Sequence, residues 1–211
     1  MAEPAPHIWN AGAPSNASYR HAAHPHLKPE VVTVYRPHQT WTYNNLPFLT
    51  HWDGQFYAMW SNGLRDEDDI GQRVLVATSA DGKEWSAPRV LAEPLGRRTL
   101  TAGGFMPTKY GLAGLYSDYD DDVADTHLYA KVTPDGHKWS RARSIGLAMC
   151  SNQNPIQLSN GRRILAGNFA MPFSDDPDGL AGWRWSSIAP EFPHEDNPWT
   201  FWQVRRSTHQ A

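Results

Sequence analysis

Asparagines come in two tight groups, Asn44-Asn45 and Asn152-Gln153-Asn154. A carboxamide both donates and accepts, so amides brought to one place suit a hydroxyl-rich ligand, though the same groups also satisfy backbone at strand ends. Carboxylates come in two runs, residues 65–69 (RDEDD) and 118–122 (DYDDD). Oxygens at this density could hold Ca2+, but neither run has the glycine and ligand spacing of a dedicated loop. Both read as solvated charge, with Ca2+ the alternative and no cofactor required. Arg73 follows the first run; its guanidinium could grip a uronate carboxylate through two N–H groups or pair with the acids beside it. Trp183 and Trp185 alternate in a strand-like run and could stack on sugar, although burial is the default for both. His7, His21, His24 and His26 sit in an Ala/Pro-rich segment with no regular frame to hold a metal, and no metal site is assigned.

These side chains must be positioned by short, frequently interrupted elements. Seventeen Pro and sixteen Gly in 211 residues leave little room for long helices. Ten Trp, eight Tyr and seven Phe point to an aromatic core or a sugar-stacking surface. With a net charge of -3, nothing basic enough to suggest a nucleic-acid or anionic-membrane partner stands out. Cys150 is the single cysteine, so no intrachain disulfide and no Cys-rich zinc site can form. No apolar run reaches the length of a membrane span. The first residues show neither a basic nor an apolar signal region, so the chain as written reads as cytoplasmic, or as secreted if a leader was removed.

From Val31 onward, strand-like runs alternate with turn signals. Residues 31–35 (VVTVY) have strand composition. Residues 48–60 read as a hairpin through Asp53-Gly54, and residues 73–85 as a strand entering a turn at Asp81-Gly82. The turn recurs: residues 79–86 are SADGKEWS and residues 133–140 are TPDGHKWS, which places Asp81 and Asp135 54 residues apart. A matching hairpin precedes each copy, and a third hairpin, residues 154–169, follows; its strand-to-turn counterpart is expected in the altered stretch 182–191 (GWRWSSIAPE). In each turn the glycine supplies positive φ, the aspartate accepts nearby backbone N–H groups, and the tryptophan anchors the loop. A repeat of about 50 residues with four short strands is the size of a propeller blade.

The paired turns resemble the Asp-box of sialidase-like β-propellers. Residues 54–91, residues 151–169 and the later PDGLAGW resemble more narrowly the propeller α-L-rhamnosidases, rhamnose–glucuronate lyases and ulvan lyases. The likeness runs from about residue 31 to residue 200. It implies an all-β fold of about three four-stranded blades, an incomplete ring, with blades near 30–92, 93–146 and 147–200 behind an irregular lead-in, 1–29. It also implies a saccharide partner and cleavage of a rhamnose–uronate-type linkage by hydrolysis or β-elimination. Relatives build a pocket from two His, a Tyr and an Arg. The first His position reads Asn44-Asn45-Leu46-Pro47 here, and the second reads Leu64-Arg65-Asp66. The Tyr corresponds to Tyr116 or Tyr110, and the Arg position is His127. The resemblance thus nominates Tyr116 as the proton donor or acceptor, with His127 as its partner.

In a propeller the first strands of successive blades converge, so Asn44, Asn45, residues 101–104 and residues 152–154 should meet. Asn44, Asn45, Arg65, Arg73, Asn152 and Asn154 are therefore the expected sugar contacts. Closed propellers carry four or more blades. Three leave unpaired edges, which raises two alternatives to an enzyme: a non-catalytic glycan-binding module, or an inactive fragment that self-associates through those edges.

Overall fold

The computed structural model describes residues 28–37, 39–120, 125–167 and 171–186. Proximity divides the chain into two units, Met1–Val32 and Thr33–Ala211. All the strands lie in the second. The N-terminal histidines, Asp121-Asp122 and residues 187–211 fall outside the described residues. Among the described residues every regular element is a strand, and no helix is long and apolar enough to cross a membrane.

Among the described residues twelve strands form three four-stranded antiparallel sheets, an incomplete β-propeller. The first sheet is β1 (Tyr43–Trp52), β2 (Gln55–Gly63), β3 (Arg73–Ser79) and β4 (Arg89–Ala92), side by side in chain order. The second repeats it with β5 (Thr99–Thr108), β6 (Gly111–Tyr119), β7 (His127–Thr133) and β8 (Arg143–Ser144). The third, with two-residue strands, is β9 (Ile156–Gln157), β10 (Arg163–Ile164), β11 (Phe173–Ser174) and β12 (Trp183–Arg184). The β1–β2 hairpin turns at Asp53-Gly54 with φ of 48° and 75°, a doubly left-handed turn whose twist matches its strands.

Side-chain alternation sorts the core. Met59, Val74, Val76 and Leu91 of the first sheet meet Leu100, Phe105, Leu112 and Tyr116 of the second. Met106, Leu115, Leu128 and Ala130 of the second gather Met149, Leu165 and Leu180 on its other side. The far face of the first sheet (Ala58, Trp60, Leu75 and Ala77) is covered by Val34 and Tyr35, whose ring lies 5.3 Å from that of Trp60. Val34 and Tyr35 thus pack by side chain, and residues 31–35 form no strand, contrary to their composition. Strand propensity needs a ladder partner, and here packing prevails.

The repeated turns hold themselves together. Asp81 Oδ1 accepts the N–H groups of Lys83 and Glu84 at 2.8 and 2.9 Å, and Trp85 Nε1 donates to the Gly82 carbonyl. Asp135 does the same for His137 and Lys138. The third turn lies between β11 and β12, ahead of the expected stretch 182–191, whose residues 187–191 fall outside the described residues. Asp176 Oδ2 accepts from Leu180 and Ala181, and Trp183 Nε1 donates to the Gly179 carbonyl at 2.8 Å. Additional residues between Asp176 and Trp183 disguise the spacing, and the stretch containing Trp183 is β12 itself.

Candidate functional site

The first strands of the sheets converge. Both β1 and β5 carry a bulge at matching places, between Asn45 and Phe48 and between Ala102 and Gly104. Leu46 inside the first bulge has a φ of 47°, uncommon for a branched side chain. The second bulge turns the Ala102 N–H onto Ser61 Oγ at 2.9 Å. Gly104 adopts a φ of 100°, and a Cβ there would lie 2.7 Å from Asn154 Oδ1.

At one end of the first sheet, Asn44, Asn62 and Arg73 form a polar row. Asn62 Nδ2 donates to Asn44 Oδ1 at 3.0 Å, and Arg73 Nε donates to Asn62 Oδ1 at 3.0 Å. The Arg73 guanidinium lies flat on Trp41, 3.8 Å from the ring centre. Asn45 Nδ2 donates to Glu67 Oε1 at 2.6 Å, while Asn45 Oδ1 is buried and has no partner. Tyr43 stands nearby, its phenol raised first by desolvation and then by Glu67, Asp66 and Asp68. The loop from Leu64 to Ile70 shapes an open pocket of about 460 Å3 lined by Leu64, Arg65, Asp68, Asp69 and Ile70. Asp69 Oδ2 stiffens it by accepting the N–H groups of Arg65 and Asp66. Among the described residues no three His, Cys, Asp or Glu side chains converge as metal ligands.

The second sheet closes against this loop. The Tyr119 hydroxyl donates to Asp68 Oδ1 and shares a 2.7 Å bond with Thr101, whose hydroxyl also receives Gln72 Nε2. Burial, then Cys150 and Asp68, hold the Tyr119 phenol well above its ordinary value. Burial also pushes the Cys150 thiol up to about 11, which leaves it inert at neutral pH.

Beside them Arg98 acts as a hub. Its Nε donates to Asp118, and its Nη1 and Nη2 donate to the carboxylate and carbonyl of Asp125 at 3.1 and 2.8 Å. Asp125 Oδ1 in turn lies 2.8 Å from His127 Nε2. Tyr116 is only 6% exposed, and burial first, then Asp118 and Tyr129, raises its phenol to about 12. Tyr116 and His127 do not touch; Tyr129 lies between them, with ring centres 5.7 Å from Tyr116 and 6.2 Å from His127.

The expected sugar contacts separate into three groups. Asn44, Asn45 and Arg73 gather at the end of the first sheet, and Arg65 is on the pocket rim. Asn152 is exposed, its N–H given to the Ala166 carbonyl at 3.1 Å. Asn154 is turned inward: it accepts the Phe105 N–H at 2.8 Å and donates to the Leu49 carbonyl at 3.1 Å. The buried Asn62, and Arg98 and Asp125 at the same end of the second sheet, are not singled out by the sequence, whereas Glu67 lies in the acidic run 65–69. The repeat carried one signal for them. Asn62 pairs with Arg73 across β2–β3 as Asp118 pairs with His127 across β6–β7, and turn-to-turn counting makes the two pairs equivalent.

A family model described as a BT_1020-like N-terminal beta propeller matches residues 31–99. No curated protein matches the chain. Among solved structures, a mutant Trypanosoma rangeli sialidase with trans-sialidase activity is similar at 15% identity and a TM-score of 0.56, covering 77% of this chain and 35% of that one. A Dyadobacter fermentans protein of unknown function is similar at 16% identity and a TM-score of 0.55, covering 74% of this chain and 56% of that one. A family 117 glycoside hydrolase from Zobellia galactanivorans is similar at 12% identity and a TM-score of 0.53, covering 76% of this chain and 61% of that one. These likenesses define the fold as that of the sialidase-like and related glycoside hydrolase propellers. The chain spans less than two thirds of the length of each, and its three sheets are blades of that architecture.

Proposed function

We propose that the chain is part of a glycan-cleaving propeller whose saccharide lies across the ends of the first two blades. The observation that carries this reading is the grouping there of a sugar-sized open pocket, an amide–guanidinium row and a His–Asp pair. Concave sites with a few convergent polar groups are the usual seats of small ligands. The pocket is amphipathic: Leu64 and Ile70 offer apolar surface and Asp68, Asp69 and Arg65 offer hydrogen-bonding groups. A neutral deoxy sugar such as rhamnose, with a methyl face and a hydroxyl face, fits that mixture. The acids of residues 66–69 repel a uronate, whose carboxylate belongs instead at Arg73, stacked on Trp41.

At the linkage, Tyr116 stays protonated at neutral pH and donates its proton to the leaving glycosidic oxygen, while His127 accepts a proton. In hydrolysis that proton comes from water, whose oxygen bonds to the anomeric carbon as the glycosidic bond breaks. In β-elimination it comes from the uronate carbon beside the carboxylate, and its electron pair becomes the new carbon–carbon double bond. Rhamnose–glucuronate oligosaccharides from ulvan test the reading when incubated with the protein. New reducing ends without ultraviolet absorbance mean hydrolysis, and absorbance from an unsaturated uronate means elimination. Absence of both overturns the catalytic reading. A glycan-binding module is the second reading, supported by the amides Asn44 and Asn45 where relatives carry histidine. Saturable binding without either product would establish it.

A further inference from the structure

We infer that Asp125, clamped by Arg98, is a positioning residue that makes His127 a directed proton carrier at the end of the second blade. The inference rests on the reading of His127 given above and adds two residues to it.

The geometry is a three-member chain. His127 Nε2 lies 2.8 Å from one oxygen of Asp125, and the other oxygen is 3.1 Å from Arg98 Nη1. Arg98 Nη2 also binds the Asp125 carbonyl at 2.8 Å, so guanidinium and aspartate are joined through both backbone and side chain. The far side of the same guanidinium is fixed on Asp118, through the carboxylate and the carbonyl. A carboxylate held this way cannot rotate to follow a moving imidazole; the imidazole must align to it.

Alignment has a chemical consequence. A carboxylate can only accept, so Nε2 carries the ring proton and Nδ1 keeps its lone pair. Nδ1 makes no hydrogen bond among the described residues and is not among the buried unpartnered atoms. It is the nitrogen left to take a proton from a ligand, and the Asp125 charge stabilises the imidazolium that results. Hydrogen bonds from His127 and Arg98 outweigh desolvation and hold the Asp125 carboxyl below its usual value, so it stays ionised for that task. Arg98 is itself only about a quarter exposed, which limits screening of its pair with Asp125 by water. The partner on the other side of the imidazole is the Tyr129 ring, which contributes no competing hydrogen bond to it.

Nitrogen-15 NMR of the imidazoles in the full chain tests this without any glycan. His127 is expected in the Nε2–H form, with a slowly exchanging ring N–H. Asp125→Ala should produce a mixture of both tautomers and lose that N–H, and Asp125→Asn, whose one oxygen goes to Arg98 Nη1 and whose NH2 then faces Nε2, should shift the ring to the Nδ1–H form. A wild-type mixture, or a spectrum unchanged by Asp125→Ala, overturns the inference. Turnover of the ulvan oligosaccharides gives the second arm. Asp125→Ala and Asp125→Asn should each lower kcat by about tenfold or more with KM little changed, the scale of a mispositioned acid–base group. Full turnover in both variants overturns the positioning role. If the NMR result holds and no glycan is cleaved, the cleavage reading fails while the His–Asp geometry stands.

Discussion

The side chain of Asn154 donates to the carbonyl of Leu49, 105 residues earlier in the chain, at 3.1 Å. Its other end accepts the Phe105 N–H at 2.8 Å, in the strand between. One carboxamide therefore joins the inner strands of two blades to the loop that opens the third. Its backbone lies close to Gly104, where a Cβ would sit 3.0 Å from the Asn154 Cα.

Removing that link should loosen the packing of all three blades. Asn154→Ala leaves a backbone carbonyl and a backbone N–H without their partner and should destabilise by about 1–3 kcal/mol. Urea denaturation followed by tryptophan fluorescence measures it. An unchanged midpoint together with lost glycan binding would instead make Asn154 a sugar contact.

Gly104→Ala should cost more than Gly54→Ala. Both glycines have positive φ, but a Cβ at Gly54 meets nothing within 4 Å, whereas at Gly104 it meets the Asn154 carboxamide at 2.7 Å. The turn variant should lose about 1 kcal/mol of stability to backbone strain, and the bulge variant that amount plus the displaced hydrogen bond. Equal losses would mean that Asn154 moves aside freely.

The Asp–Gly turns should make stability fall in acid. Backbone N–H groups of Lys138 and His137 hold the Asp135 carboxyl down to about 2, and those of Glu84 and Lys83 lower Asp81. A folded-state value below the unfolded one adds stability that is complete above the ordinary carboxylate range. That stability is lost as pH falls through the folded value. The denaturation midpoint should therefore decline from about pH 4 toward pH 2, and Asp135→Ala should flatten the decline. A slope unaltered by the substitution would assign acid sensitivity to other carboxylates.

Tyr116→Phe should fold normally, because the ring packs in the core against Tyr129 and its hydroxyl makes no hydrogen bond among the described residues. It should abolish cleavage of the ulvan oligosaccharides. Undiminished turnover removes Tyr116 from the chemistry and leaves Tyr119, whose hydroxyl donates to Asp68 of the pocket lining, as the phenol to test next.

What could be read from the sequence alone was local. The Asp53-Gly54 hairpin and the turns at Asp81 and Asp135 are built from residues within a few positions of one another, so their chemistry is written in order along the chain. The repeat of those turns carried the fold. The third turn escaped because additional residues between Asp176 and Trp183 broke the spacing while leaving the hydrogen bonds intact. Residues 31–35 misled because composition reports only a preference, and a strand forms only where a neighbouring backbone completes the ladder.

The site depended on distances the sequence does not contain. Asn44, Asn45 and Arg73 were visible as residue types, but their partners Asn62 and Glu67 meet them across strand pairs and loops. Arg98 and Asp125 lie 27 residues apart, in segments with no motif, and are joined only because β5 and β7 flank the same hairpin strand. Short-range turn chemistry specified the blades one at a time. The packing of one blade on the next decided that Asn154 would bind backbone and that His127 would face a clamped carboxylate, because long-range contacts exist only after the apolar faces between sheets have closed.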